Sequence, residues 1–592
     1  MYRAPVEEIS FTLKHVAGLG SVIEEGVSGE FSEDVADAIV KEAGRFASEE
    51  IAPLRKIGDE HGAVLKDAAV TMPPGWKELY RRWVEGGWNA LQGSAEYGGQ
   101  ALPAMLGVAV LEMWNSGSMA FALGPTLTMG AVEALEKHGC NELKARFVPK
   151  LVSGEWMGTM NLTEPQAGSD LSALRTRAEP AGDGSYRLFG QKIFITYGEH
   201  DLTDNIVHLV LARLPDAPAG TRGISLFLVP KFLVDENGSQ GRRNDVFCSG
   251  LETKLGIHAS PTCTMIFGDG CVEGHEAGAV GYLVGEENRG LACMFTMMNN
   301  ARLAVGMQGV AIAEAAYQKA LAYANERRQG RSARYQGEGM VPIVYHPDIQ
   351  RNLLTMKALT QAARSISYCC AAATDHARKA TGEEKEHWQA RANLLTPVAK
   401  AFSTDVGVEV ASLGVQVHGG MGYIEETGAA ALYRDARIAP IYEGTNGIQA
   451  IDLVTRKLPQ GGGEHVFGYI AELSRAAVRL RTSNRSGFGG TANAVNKALD
   501  DLAEATGFLQ KLLDENCIDE ALAGATPYLR LFALAAGGSY LAQAALAEEN
   551  EARTALCRFF AENLLGETRA LKGQVLIGAS SLAAAGKWLI ST

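Results

Sequence analysis

Four short stretches of the sequence bring together residue types that could do chemistry. In residues 434–449, Glu443 follows Ile441 and Tyr442 and precedes Gly444. Apolar surroundings raise a carboxyl's pKa towards neutrality, which suits a base that must take a weakly acidic proton. In residues 160–170 (MNLTEPQAGSD), Thr163 follows an apolar run, and Pro165 with Gly168 predicts a tight loop. Its backbone N–H groups and the hydroxyls of Thr163 and Ser169 could meet a planar polar ring or a phosphate. In residues 190–196 (GQKIFIT), Phe194 and Thr196 stand two apart and so share one face of a strand. In residues 416–423 (QVHGGMGY), Gly419 and Gly420 allow backbone to approach a ligand closely. Each stretch alone has a commoner structural reading: a strand-to-loop turn, sheet packing, a glycine helix cap, a capping or surface acid. No run of residues has metal-ligand spacing.

The elements that must position these residues can be read from composition and pattern. A chain of 592 residues predicts three or four domains, and 46% hydrophobic with 21% charged residues is ordinary globular composition. A net charge of −13 opposes broad binding to nucleic acid. Nine cysteines without a C-x-x-C pair read as reduced thiols and a cytoplasmic setting. The first residues carry acids and no apolar core, so they do not read as a signal peptide. Residues 529–546 are apolar but interrupted by Arg530, Gly537, Gly538 and Gln543, which predicts a packed helix pair, not an integral membrane span.

Helical spacing runs through residues 32–151, with breaks at 73–75 and 97–103. Short β-rich runs at 193–196, 206–211 and 224–229 predict an antiparallel β domain between about 157 and 280. Helical patterns return over 297–328 and 346–376. Gly461 to Gly463 read as a linker, and residues 461–592 read as further helix with a break near 483–490. The fold class that follows is α+β multidomain.

Taken in order, the four stretches resemble the acyl-CoA dehydrogenase family, through T-E-P-x-A-G-S-D, G-x-K-x-F-I-T, Q-x-H-G-G and I-Y-E-G-T. Gly86-Gly87-Trp88-Asn89 with Glu96-Tyr97-Gly98-Gly99 resembles the family's N-terminal signature. The resemblance spans roughly residues 35–457. It implies an N-terminal α-helical domain (1–156), a middle antiparallel β-barrel-like domain (157–282) and a C-terminal four-helix bundle (283–460). An appended α-helical domain (461–592) resembles that of the large subgroup, which includes enzymes for 3-methylthiopropanoyl-CoA and for fatty acyl-CoA.

The resemblance further implies FAD as cofactor. Leu162, Thr163, Phe194 and Thr196 would face its ring, Ser169 would also bind the cofactor, and Arg327 would contact its pyrophosphate, usually in the neighbouring subunit. Gln416, Gly419 and Gly420 would hold the adenosine end, with Thr445 and Gly447 along the cofactor. Ser169, Asn299, Arg302 and Gly444 would bind an acyl-CoA substrate. Glu443 would take the α-proton while the β-hydrogen leaves as hydride to flavin N5, giving the trans-2-enoyl-CoA. A minority of relatives carry the base one position before Arg302; here that position is Ala301, which cannot accept a proton. Electron-transfer flavoprotein is the implied electron acceptor, and a homodimer the implied assembly.

Two alternatives within the resemblance are an acyl-CoA oxidase and a DNA-associated alkylation-response flavoprotein. The tail from Gly461 carries 12 Lys and Arg against 14 Asp and Glu, so the electrostatic support for DNA is missing. The sequence departs from the family at Arg328-Gln329-Gly330-Arg331, followed by a polar insertion up to Pro347, where cofactor contacts are least defined.

Overall fold

The computed structural model describes residues 2–27, 31–272, 274, 276–483 and 485–590; the side chains of residues 299 and 300 lie outside the description, although both belong to a helix. The chain divides into two compact units. One comprises Met1–Arg45, Pro103–Ser116 and Arg302–Thr592, the other Phe46–Leu102 and Gly117–Ala301.

The second unit is built on a sheet whose strands run in the order Val246–Leu251, Thr262–Phe267, Tyr186–Thr196, Ala279–Val284, Ile224–Pro230, Asn205–Arg213 and Trp156–Asn161. Asn205–Arg213 is apolar almost throughout and buried except at its last residue, so it can only be an interior strand. The expectation of a wholly antiparallel domain needs correction. Trp156–Asn161 pairs with Asn205–Arg213 in parallel, from Trp156↔Asn205 to Asn161↔Val210. Every residue of Trp156–Asn161 is buried, which is how parallel strands are usually found. Phe147, Leu151, Trp156, Leu209 and Leu228 belong to the core on this sheet. Burying each such side chain contributes about 1.5–3 kcal/mol. A two-stranded hairpin, Val64–Lys66 with Ala69–Thr71, interrupts the stretch read as purely helical. Its turn places Asp67 and Ala68 in the left-handed region, and Ala68 is not a residue that announces such a turn.

In the first unit the helices predicted over 297–328 and 346–376 are Gly290–Glu326 and Pro347–Lys379, and Gly382–His418 follows. A buried ionic knot ties this unit together. Arg364 pairs with Glu112 at 2.6 Å and Glu314 at 2.8 Å, and the Tyr368 hydroxyl donates to Glu112 at 2.7 Å. Gly461 to Gly463 form a tight corner, not a loose linker. All three have positive φ, and a Cβ on Gly463 would lie 1.8 Å from the Gln510 amide. The apolar stretch read as a helix pair is a single helix, Ala525–Ala547. Gly537 sits in its interior because a Cβ there would come within 2.8 Å of Ala362. Among the described residues this is the one helix long and apolar enough to cross a membrane, and most of it is buried inside the protein. Its apolar surface is therefore core.

Candidate active site

The loop that carries Glu443 lies between helices Ala429–Ala436 and Asn446–Asp452. Thr445 caps the second helix: its Oγ1 accepts the Ile448 N–H at 3.2 Å. Glu443 has φ 55° and Gly444 φ 82°, two successive left-handed residues. For a residue with a side chain that conformation costs on the order of 1–2 kcal/mol, so neighbours must enforce it. They do. The Asn446 N–H donates to the Pro440 carbonyl at 3.0 Å, closing the loop. Gln449 Nε2 donates to the carbonyls of Glu443 at 3.3 Å and Gly444 at 3.4 Å. A Cβ on Gly444 would sit 2.6 Å from Gln449 Nε2, so glycine is required there by both φ and space. The Tyr442 hydroxyl donates to Gln308 Oε1.

Glu443 keeps partial exposure, yet protein crowds its carboxyl. Burial raises its pKa above the usual carboxylate range, and the charges of Arg302 and Lys400 pull only partly the other way. Among the described residues, no hydrogen bond reaches its carboxylate. Arg302 is buried and lies 3.7 Å from Asp452, on a different helix and not in the intrahelical pair its spacing could have given. Arg302 Nε, Gln308 Nε2 and Gln449 Oε1 are buried without a protein partner. Gln308 and Gln449 bond to the Glu443 loop and the Arg302 charge acts on Glu443, so the three atoms mark a place that accepts further polar groups.

In the other unit, the loop after Trp156–Asn161 turns tightly, but not at Gly168. Glu164 and Ala167 exchange both N–H···O bonds at 3.0 Å, so Pro165 and Gln166 make the turn and Gly168 needs no left-handed conformation. The Thr163 carbonyl accepts the Ile193 N–H at 2.9 Å. That bond faces a bulge: Ile195 pairs with Cys263 and Lys192 with Met265, leaving Ile193 and Phe194 opposite one residue. Phe194 takes φ 61°, which breaks the simple alternation expected of Phe194 and Thr196 and leaves the Phe194 ring 57% exposed. The Thr196 carbonyl accepts from Thr159 Oγ1 at 2.7 Å.

Sequence reasoning missed the pair that shapes this region. Glu164 and Lys192, both buried, join at 2.8 Å, and Lys192 Nζ also donates to the Leu162 carbonyl at 3.0 Å. Glu164 further accepts from Thr176 Oγ1 at 2.6 Å and from the N–H groups of Arg175 at 2.7 Å and Thr176 at 3.0 Å. Burial opposes its ionisation, but the Lys192 charge and these donors prevail and hold its pKa at about 2. Burial lowers Lys192 to about 8 against the pull of Glu164. The available signal was a lysine beside the apolar run Ile193-Phe194-Ile195.

The remaining sequence-derived residues fall as follows. Glu443, Gly444, Thr445 and Gly447 share one loop and helix start, and the Arg302 charge acts on Glu443. Leu162, Thr163, Phe194 and Thr196 share the turn and bulge, and Ser169 is exposed on the same loop. Arg327 is exposed at the end of Gly290–Glu326. Gln416, Gly419 and Gly420 are exposed at the end of Gly382–His418, where Gly419, with φ 60°, is also the helix cap. The Asn299 side chain lies outside the described residues.

In one unit, exposed Phe194 on the strand that carries Thr196 suits a planar heterocycle; in the other, exposed Arg327 and Gln416 are donors suited to phosphates. Each of these sets, taken within its own unit, suits one part of a flavin dinucleotide. Four family models match the chain in series: acyl-CoA dehydrogenase N-terminal domain over 33–155, middle domain over 159–269, C-terminal domain over 288–458, and acetyl-CoA dehydrogenase C-terminal like over 469–585. The chain belongs to the acyl-CoA dehydrogenase family, whose members are FAD-dependent oxidoreductases, with N-terminal helical, middle β and C-terminal helical domains.

Within that family it is 46% identical to the 3-methylmercaptopropionyl-CoA dehydrogenase of Ruegeria pomeroyi, over 98% of this chain and 99% of that protein. Two solved structures share the fold. Caenorhabditis elegans ACDH-11 in complex with C11-CoA gives a TM-score of 0.77 at 21% identity, covering 95% of this chain and 92% of that one. The Bacillus anthracis acyl-CoA dehydrogenase complexed with FAD gives 0.73 at 23% identity, covering 93% and 89%.

Proposed function

We propose that Glu443 is the base that removes the α-proton of a saturated acyl-CoA thioester, on the way to the trans-2-enoyl-CoA. The observation that carries this reading is a carboxylate on a loop pinned in a left-handed conformation, with no hydrogen-bond donor among the described residues and a pKa raised by burial. A carboxylate saturated with donors would be a poor proton acceptor; this one is left basic. When bound, FAD supplies the acceptor that takes up the β-hydrogen with its electron pair. Leu162, Thr163, Phe194 and Thr196 would hold its ring, and Arg327, Gln416, Gly419, Gly420, Thr445 and Gly447 the rest of the cofactor. Arg302, Gly444, Ser169 and Asn299 would bind the thioester and its pantetheine. Domain limits near 156, 282 and 460, a barrel-like middle domain, a four-helix bundle, and a cytoplasmic homodimer that passes electrons to an electron-transfer flavoprotein complete the reading.

Substituting Glu443→Gln keeps the shape and removes the basicity. Turnover should fall by about 10³-fold or more while the purified protein stays yellow. Normal turnover in that variant would remove the assignment. For the substrate, identity of 46% along the whole of a 3-methylmercaptopropionyl-CoA dehydrogenase supports a short thioether acyl chain. Anaerobic titration with a panel of acyl-CoAs should bleach the flavin at the lowest concentration with 3-methylthiopropanoyl-CoA. Preferential bleaching by long straight chains would replace it with a fatty acyl substrate.

A further inference from the structure

Lys400 lies in the middle of helix Gly382–His418, fully buried, 43 residues before the base. Burying an ammonium is unfavourable unless it is paired, and burial pulls the Lys400 pKa down to about 8 against the opposing charges of Asp405 and Glu443. A methionine would fill the same volume without that penalty. The side chain has one hydrogen bond among the described residues: Nζ donates to Asn446 Oδ1 at 2.8 Å.

Asn446 is the knot of the base loop. Its Nδ2 donates to the Ala401 carbonyl at 3.1 Å, Thr404 Oγ1 at 3.0 Å and Asp405 Oδ1 at 2.7 Å, all on the helix that carries Lys400. Its backbone N–H closes the loop onto Pro440. Glu443 lies inside that closed segment, in a conformation it would not adopt freely. Oδ1 accepts from Lys400 Nζ and from Thr404 Oγ1 at 3.2 Å while the two Nδ2 hydrogens are shared among three acceptors, so a flipped amide would lose the Lys400 bond.

We propose that Lys400 is a positioning residue for the dehydrogenation: by locking the Asn446 side chain it holds the 440–446 loop in the shape that presents the Glu443 carboxylate as an anion ready for the proton. The inference rests on the assignment of Glu443 as base. The charged groups facing that carboxylate are Arg302, from helix Gly290–Glu326, and Lys400; Arg302 is itself neutralised in part by Asp452, and Lys400 by Asp405. Lys400 is thus, after Arg302, the second positive charge that favours the ionised Glu443 against burial.

The test uses the FAD-loaded enzyme and compares Lys400→Met with Asn446→Ala. In Lys400→Met, kcat should fall by about 10–100-fold, and the acid limb of kcat/KM should move to higher pH, because removing a nearby cation makes the carboxylate harder to ionise. In Asn446→Ala the cation stays, so kcat should fall with a smaller movement of the acid limb. A merely structural lysine would lower yield and thermal stability without moving that limb. If Lys400→Met does not fold, the Asn446→Ala profile decides alone: a kcat and acid limb within twofold and 0.2 pH unit, roughly, of wild type overturns the proposal. Wild-type behaviour in both variants, beside an inactive Glu443→Gln, removes the role of Lys400 and leaves the base intact; an active Glu443→Gln removes both.

Discussion

The turn at 162–167 and the loop at 437–446 are made from the same parts and do opposite things. Each has a buried lysine near a glutamate, and each has a non-glycine residue held at positive φ, Phe194 on the strand bonded to the turn and Glu443 within the loop. At Glu164 the lysine touches the carboxylate, and Thr176 and two backbone N–H groups fill the other lone pairs, so the pKa falls to about 2. At Glu443 the lysine is spent on Asn446 and reaches the carboxylate only through space, so burial prevails and the pKa rises. The lesson concerns donors more than charges. A buried cation makes a clamp when it is hydrogen-bonded to the acid, and leaves the carboxyl with a raised pKa when it is not.

Breaking the clamp should give the largest effect on stability. Glu164→Gln leaves Lys192 buried without its counter-charge, which costs about 3–5 kcal/mol in comparable pairs. Thermal melts of the FAD-bound protein at neutral pH should show a clear drop in Tm; an unchanged Tm would mean the pair contributes nothing net. The pH dependence has a definite sign. A carboxyl whose folded pKa is lowered from 4.5 to about 2 adds stability above about 4.5, and that stability is lost as pH falls through about 2. The gap between wild type and Glu164→Gln should therefore narrow on acidification.

What could be read in the sequence, and what could not, follows the same division. Glu443 stood out through the I-Y-E-G-T run and the resemblance it carries, since its apolar neighbours Ile441 and Tyr442 alone suit a capping or surface acid equally well. Its left-handed φ was not legible, since glutamate does not advertise that conformation and the bonds enforcing it come from Gln449 and Asn446. Lys400 was invisible: one lysine in Pro397-Val398-Ala399-Lys400-Ala401-Phe402 reads as a solvated position, and only tertiary packing buries it. Pattern marked the runs at 193–196, 206–211 and 224–229 but neither the other strands nor the partners, so the parallel pairing of Trp156–Asn161 was missed. Gly537 and Gly538 read as a break because glycine weakens an isolated helix; in Ala525–Ala547 the close approach of Ala362 outweighs that preference.

The smaller effect is the more telling one, because its sign is reversed. A carboxyl whose folded pKa is raised destabilises the folded state once pH exceeds its ordinary value of 4.5, and the loss is complete above the folded pKa. Glu443→Gln should therefore be slightly more stable than wild type at pH 7, on the order of 1 kcal/mol, while inactive. The advantage should vanish below about pH 4, where the wild-type carboxyl is protonated in both states. Parallel melts of the two glutamine variants against wild type across that range would show curves that diverge in opposite directions as pH rises. If Glu443→Gln instead loses stability in the manner of Glu164→Gln, the 443 carboxylate is a satisfied structural acid, and the contrast between clamp and base disappears.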